Sequence, residues 1–92
     1  MANVIIPVVF QGPTRGESSA RVAGATIAEC FDLVEAKFPG LRELVIDPAS
    51  GAIHKFVKVT LNGVLLERDP ETLARSVGED DEIEVIAAIA GG

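Results

Sequence analysis

Apolar residues recur along this chain with two different periods, and the changes of period divide it into elements. Val4, Ile6, Val8 and Phe10 alternate with Ile5, Pro7 and Val9, a two-residue period that predicts a strand over 3–11. Both faces of that strand are apolar, so both are expected to be at least partly covered. Pro7 is in tension with this reading, because proline gives no ladder donor and belongs at an edge or a bulge. Gly12-Pro13-Thr14-Arg15-Gly16 predicts a turn, and 18–23 a weaker returning strand. The period then lengthens. Ile27, Phe31, Val34 and Phe38 are spaced to form one stripe on a helix. Thr26 and Glu29 have the spacing of a capping box at its start, and Pro39-Gly40 stops it. Cys30 lies beside the stripe and reads as a half-buried packing residue.

Beyond the helix, 41–45 reads as a helical turn and Asp47-Pro48-Ala49-Ser50-Gly51 as a loop. A strand is expected over 55–61, with Val57, Val59 and Leu61 inward and Phe56, Lys58 and Thr60 outward. Asn62-Gly63 is a strong hairpin signal, and 64–66 returns. Asp69 and Pro70 supply an N-cap and a first-turn proline for a short second helix reaching about Ser76. Glu79-Asp80-Asp81 is an acidic turn. A last strand over 82–87 places Ile83, Val85 and Ala87 on one side. The first and last strands are the most apolar and are the candidates for the sheet centre. The class is α+β: one main helix on a mixed sheet of four to five strands. That arrangement resembles the β-grasp of ubiquitin-like proteins.

Composition narrows the function. The chain has 92 residues, 48% of them hydrophobic, enough for one domain with a core. A net charge of −6 argues against nucleic acid as a partner, which needs a basic footprint. Cys30 is the single cysteine, so no internal disulfide forms, and a reducing compartment is compatible. The apolar stretch 4–10 is too short to cross a bilayer, and no positive segment precedes it as in a signal peptide. A cytoplasmic protein without membrane contact is expected.

Candidate chemistry is sparse. The turn at 12–16 lacks the lysine pattern of a phosphate loop. His54 is the single histidine and makes neither a zinc site nor a triad. It reads as structural or as part of a contact surface. No catalytic residue and no metal site is expected. The chain ends in Ala88-Ile89-Ala90-Gly91-Gly92. At average glycine usage, two terminal glycines arise by chance in about 0.5% of chains. A solvated tail is usually polar, whereas 87–90 holds no polar side chain. Glycine lets a backbone approach another surface closely, so such an end suits threading into a channel that receives the terminal carboxylate. The expected organisation is a β-grasp domain over 1–87 and a flexible tail over 88–92. Phe56 and Ile86, with Ile5 or Val9, are expected to form an outward apolar patch for partner docking.

A single-helix β-grasp ending at Gly91-Gly92 resembles the MoaD/ThiS family of ubiquitin-like sulfur carriers. Within it, Asp47-Pro48-Ala49-Ser50-Gly51, Ile53-His54-Lys55-Phe56-Val57 and the final five residues are similar to the CysO-type carriers of bacterial cysteine biosynthesis. The resemblance implies a co-substrate and not an enzyme. An E1-like enzyme would adenylate the carboxylate of Gly92 with ATP, and sulfur transfer would give a terminal thiocarboxylate. Gly91 would leave the channel wall unobstructed, and Ala88, Ile89 and Ala90 would contact the partner. The CysO-type branch further implies a PLP-dependent cysteine-synthase-like enzyme as sulfur acceptor and a JAMM-type metalloprotease that releases the product. No cofactor would be bound by the carrier itself, ATP being used by the partner. Two alternatives stay open: the small subunit of molybdopterin synthase, and a protein modifier joined to lysines through Gly92.

Overall fold

A computed structural model describes residues 1–87. The elements run β1 (Ala2–Ile5), β2 (Ser19–Val22), α1 (Ile27–Lys37), α2 (Arg42–Val45), β3 (Val57–Leu61), β4 (Val64–Leu65) and β5 (Glu82–Ala87). One five-stranded sheet has the order β2-β1-β5-β3-β4. The first and last strands do take the centre, where β1 and β5 pair in parallel. The other pairings are antiparallel. The chain therefore has the mixed-sheet β-grasp architecture expected from its pattern.

Helix α1 forms as its periodicity predicts. Thr26 is extended at φ −136° and its Oγ accepts from the Glu29 amide at 3.1 Å. The second half of the box is displaced by one residue: Glu29 Oε1 accepts from the Ala25 amide at 3.2 Å, not from Thr26. Ile27, Phe31 and Val34 are fully buried, and Phe38 packs at the margin of the core. Cys30 is also fully buried, more deeply than its place beside the stripe implies. A Cβ on Gly24 would lie 2.7 Å from the Cys30 sulfur, so glycine there lets the chain pass directly over the thiol. Burial pushes the Cys30 thiol up from its ordinary range, which keeps it protonated and inert.

The helix exit is held by a side chain. Glu35 accepts from the amides of Gly40 at 2.9 Å and Arg42 at 2.8 Å. Gly40 turns the chain at φ +102°, a conformation that suits glycine. The two amide hydrogen bonds hold the Glu35 carboxyl below the usual glutamate range.

Four elements differ from their expectations. The first strand stops at Ile5 instead of continuing to 11, and Val8–Phe10 forms a 3-10 turn. Pro7 causes this, since it can donate nothing to a neighbouring strand. Val8, expected inside, is 81% exposed. The third strand begins at Val57, two residues later than expected, because Val57 N–H bonds the His54 carbonyl in a turn. The segment after Asp69 is a 3-10 helix, Pro70–Ala74, and the Asp69 side chain caps nothing. The returning strand after Asn62-Gly63 covers only Val64–Leu65, and the turn itself has φ +51° and +84° at these two residues, as a tight hairpin requires.

Two outcomes follow. Phe31→Ala is expected to cost about 3–5 kcal/mol, measured by urea denaturation, since it empties the centre of the core. Glu35→Gln is expected to flatten the acid limb of the stability profile. A depressed folded-state pKa contributes stability above the ordinary glutamate range, and that stability is lost as pH falls through the lowered value. An unchanged acid limb in Glu35→Gln would show that the two amide bonds are not formed in solution.

Candidate functional site

The candidate site is the place where β5 leaves the sheet. Along β5, Ile83 and Val85 are buried while Glu82, Glu84 and Ile86 are exposed, so the strand alternates up to its last residue. Its first half is flanked on both sides. Asn3, Val4 and Ile5 pair with Glu82, Ile83 and Glu84. There Pro7 ends β1, and Val85, Ile86 and Ala87 pair with β3 alone, opposite Val59, Lys58 and Val57. The last turn of the strand thus projects past the centre of the sheet.

Ala87 opens onto a groove of about 370 Å³. Val9, Phe10, Leu44, Phe56 and Val57 make its apolar walls, and Glu43 and His54 its polar ones. Each wall has a local cause. Val9 and Phe10 reach it because the chain coils after Pro7. Leu44 comes from α2, whose position is fixed by the Glu35 carboxylate. His54 Nε2 lies 2.9 Å from the Glu43 carbonyl, and a carbonyl only accepts, so this nitrogen carries a proton. Arg68 holds the same turn from the other side, donating to the carbonyls of His54 at 3.1 Å and Val57 at 3.2 Å. Phe56 stands 54% exposed, with Lys55 Nζ 5.1 Å from the centre of its ring.

The expected docking residues separate into two surfaces. Phe56 shares the groove with Val9, whereas Ile86 lies on the open face of the sheet opposite Lys58. Ile5 lies on that open face across from Glu84. Phe56 and Ile86 are both exposed, at 54% and 40%, but Ile86 is not part of the groove lining. Phe10 and Leu44 join the groove without a docking signal in the sequence. Phe10 alternates as within a continuous strand, and it is freed because Pro7 ends β1. Leu44 sits on a four-residue helix too short to have a periodic signature. Gly91, Gly92, Ala88, Ile89 and Ala90 lie outside the described residues. Among the described residues, no cluster of His, Cys, Asp or Glu could hold a metal ion, and no helix is long and apolar enough to cross a membrane.

A model of the ThiS family matches residues 14–92. The chain belongs to the ThiS family. It is 31% identical over 90 residues to the sulfur carrier protein CysO of Mycobacterium tuberculosis, covering 97% of this chain and 96% of that one. The crystal structure of Mycobacterium tuberculosis CysO superposes with a TM-score of 0.86 at 28% identity, covering 97% of this chain and all of that one. A chain of the Amycolatopsis orientalis BexX/CysO complex also gives 0.86, at 27% identity and full coverage of both. For this member of the family, the similarity to CysO therefore extends over nearly the whole chain, including the segments that build the groove.

Proposed function

We propose that this protein is a sulfur carrier of the CysO type, a co-substrate whose reacting group is the carboxylate of Gly92. The observation that carries the proposal is a Gly91-Gly92 terminus reached five residues after Ala87, the end of the central strand. Family membership and the similarity to CysO support it. A carboxylate at neutral pH is a poor electrophile. In the proposed reaction a carboxylate oxygen of Gly92 attacks the α-phosphorus of ATP on an E1-like enzyme and pyrophosphate leaves. Hydrosulfide, sulfur already at the sulfide level, then attacks the acyl carbon, the acyl–phosphate bond breaks and AMP leaves, giving a thiocarboxylate with no change of oxidation state. The carrier contributes presentation and no catalytic side chain. Five residues extend to at most about 18 Å, enough to thread Ala88, Ile89, Ala90 and Gly91 through a narrow channel.

The apolar groove is the docking surface that accompanies the tail. Phe56, Val9 and Leu44 stand at its rim or wall beside Ala87, so a partner that seats on them receives the tail directly. Ile86 extends the contact onto the open sheet face. A PLP-dependent cysteine-synthase-like enzyme is the proposed sulfur acceptor, and a JAMM-type metalloprotease the hydrolase that frees the product. The similarity to a chain of the BexX/CysO complex supports recognition by a protein partner.

Three outcomes test the proposal. Adding one residue after Gly92 moves the carboxylate by about 3.5 Å and is expected to slow ATP-dependent pyrophosphate release by about 100-fold or more. Intact mass of the native chain after sulfide addition should show one sulfur in place of one oxygen. An extended, untrimmed chain adenylated at the native rate would overturn the role of Gly92, and higher-mass adducts on other proteins would favour a modifier. Phe56→Asp is expected to fold normally, because its ring is exposed, and to lower kcat/KM of activation about tenfold, as loss of an aromatic anchor does. Unchanged turnover would place docking elsewhere.

A further inference from the structure

A second apolar groove lies on the opposite flank of the molecule, between β2 and α1. Met1, Val22, Ala23, Leu33 and Ala36 line it, together with Arg21 and Lys37. Leu33 is 41% exposed and belongs to no part of the core stripe of α1. Three features of this place converge. The first is an open sheet edge. Strand β2 pairs with β1 and, among the described residues, has no neighbour on its other side. The Ile6 amide bonds the Ser18 carbonyl at 2.8 Å, and the register then assigns Ala20 and Val22 to the paired side. Ser19 and Arg21 alternate with them and turn their backbone N–H and C=O outward. The second is the apolar floor directly beneath that edge. The third is charge. The chain has 14 acidic and 8 basic side chains, yet both ionic side chains that line this groove are cationic. The acids of α1 are not part of the lining: Asp32 lies 3.0 Å from Arg42 Nε, and Glu29 accepts from the Ala25 amide.

We propose that this flank binds an extended peptide segment of acidic-hydrophobic character, added as a further strand on β2. Outward N–H and C=O groups of Ser19 and Arg21 pair with the peptide backbone. Alternate apolar side chains of the peptide enter the groove over Val22, Leu33 and Ala36. Its carboxylates meet Arg21 and Lys37. The other end of the sheet is less suited, because β4 has only two residues and the cavity beside it mixes Lys58 and Arg68 with Glu67 and Asp69. The flank is separate from the groove at Ala87, so a peptide here binds without occupying the proposed activation surface.

The test is an amide NMR titration of the full chain with a short synthetic peptide, a Val/Ile run followed by an Asp/Glu run, taken to about 1 mM. The same peptide with lysine for its acids is the control. Saturable shifts are expected at Ser19, Arg21, Val22, Ala23, Leu33, Ala36 and Lys37, and not at Val9, Leu44 or Phe56. The double variant R21E/K37E is expected to weaken binding about tenfold, since two exposed ion pairs become repulsions. Both side chains are solvent-exposed, and an unchanged spectrum elsewhere checks the fold. No saturable shift at these amides, equal binding of the lysine peptide, or shifts that grow with protein concentration alone would each overturn the proposal. The last result would assign the flank to a second copy of the chain.

Discussion

The parallel pairing of β1 with β5 is the constraint on which the rest of the structure depends. It joins residues from the two ends of the described chain, and its central pair, Val4 and Ile83, is fully buried. Parallel neighbours cannot be joined by a tight turn, so everything between them must travel around the sheet. The chain leaves β1 by a hairpin to one edge, crosses the sheet with α1, and returns through a hairpin at the other edge. The core is the space enclosed by that circuit, with Phe31 and Ile27 of α1 against Val4, Val59, Ile83 and Val85 of the strands. A sheet centred on β5 also dictates where the chain emerges, since a central strand can release its end only along its own axis.

That exit is shaped by an interruption. Pro7 ends β1 early, and β5 outlasts its parallel neighbour by the three residues from Val85 to Ala87. The freed segment does not unravel. Val8–Phe10 coils, Gln11 Nε2 donates to the Ile6 carbonyl at 2.9 Å, and Thr14 is fully buried with its hydroxyl donating to the Glu17 carbonyl at 2.8 Å. The same coil supplies two walls of the groove beside Ala87. One missing backbone donor thus creates both the overhang of the strand and the apolar surface next to it.

Polar side chains in this protein mainly hold loops in place. Asn62 donates to Asp81 at 3.0 Å and accepts from the Glu82 amide at 2.8 Å, tying the hairpin between β3 and β4 to the start of β5. Asp81 also accepts from the Gly78 amide at 2.7 Å, and the bond from Asn62 above all keeps its carboxyl below the usual aspartate range. Glu35 and Arg68 perform similar work at the ends of α1 and β3. Acids and bases consumed in this way leave the two open surfaces to apolar side chains with few charges beside them. The groove at Ala87 faces along the sheet axis, and the groove at β2 faces sideways from its edge.

The amino-acid sequence by itself determined the elements whose signals are local. Helix α1 follows from the spacing of Ile27, Phe31, Val34 and Phe38 and from the Thr26 cap. The hairpin follows from Asn62-Gly63, and β5 from alternation that is unbroken between an acidic turn and a terminus that changes composition. The centrality of the first and last strands was legible too, because they are the most apolar strands of the chain. The Gly91-Gly92 motif was legible as well, since it is written in two adjacent residues. Only the tertiary structure decided where strands stop. Pro7 is compatible with a bulge, an edge or an end, and the choice is made by what β5 offers alongside. Lys55 and Phe56 have the same local pattern inside a strand or just before one, and the turn closed by the Val57 N–H on the His54 carbonyl makes the distinction. The grooves belong to the same category. Phe10, Leu44, Phe56 and Ala87 are far apart in sequence, and burial patterns along single elements do not report which exposed residues meet across them. A local signal is written in neighbouring residues, whereas a surface is a sum over contacts that exist only once the chain has closed on itself.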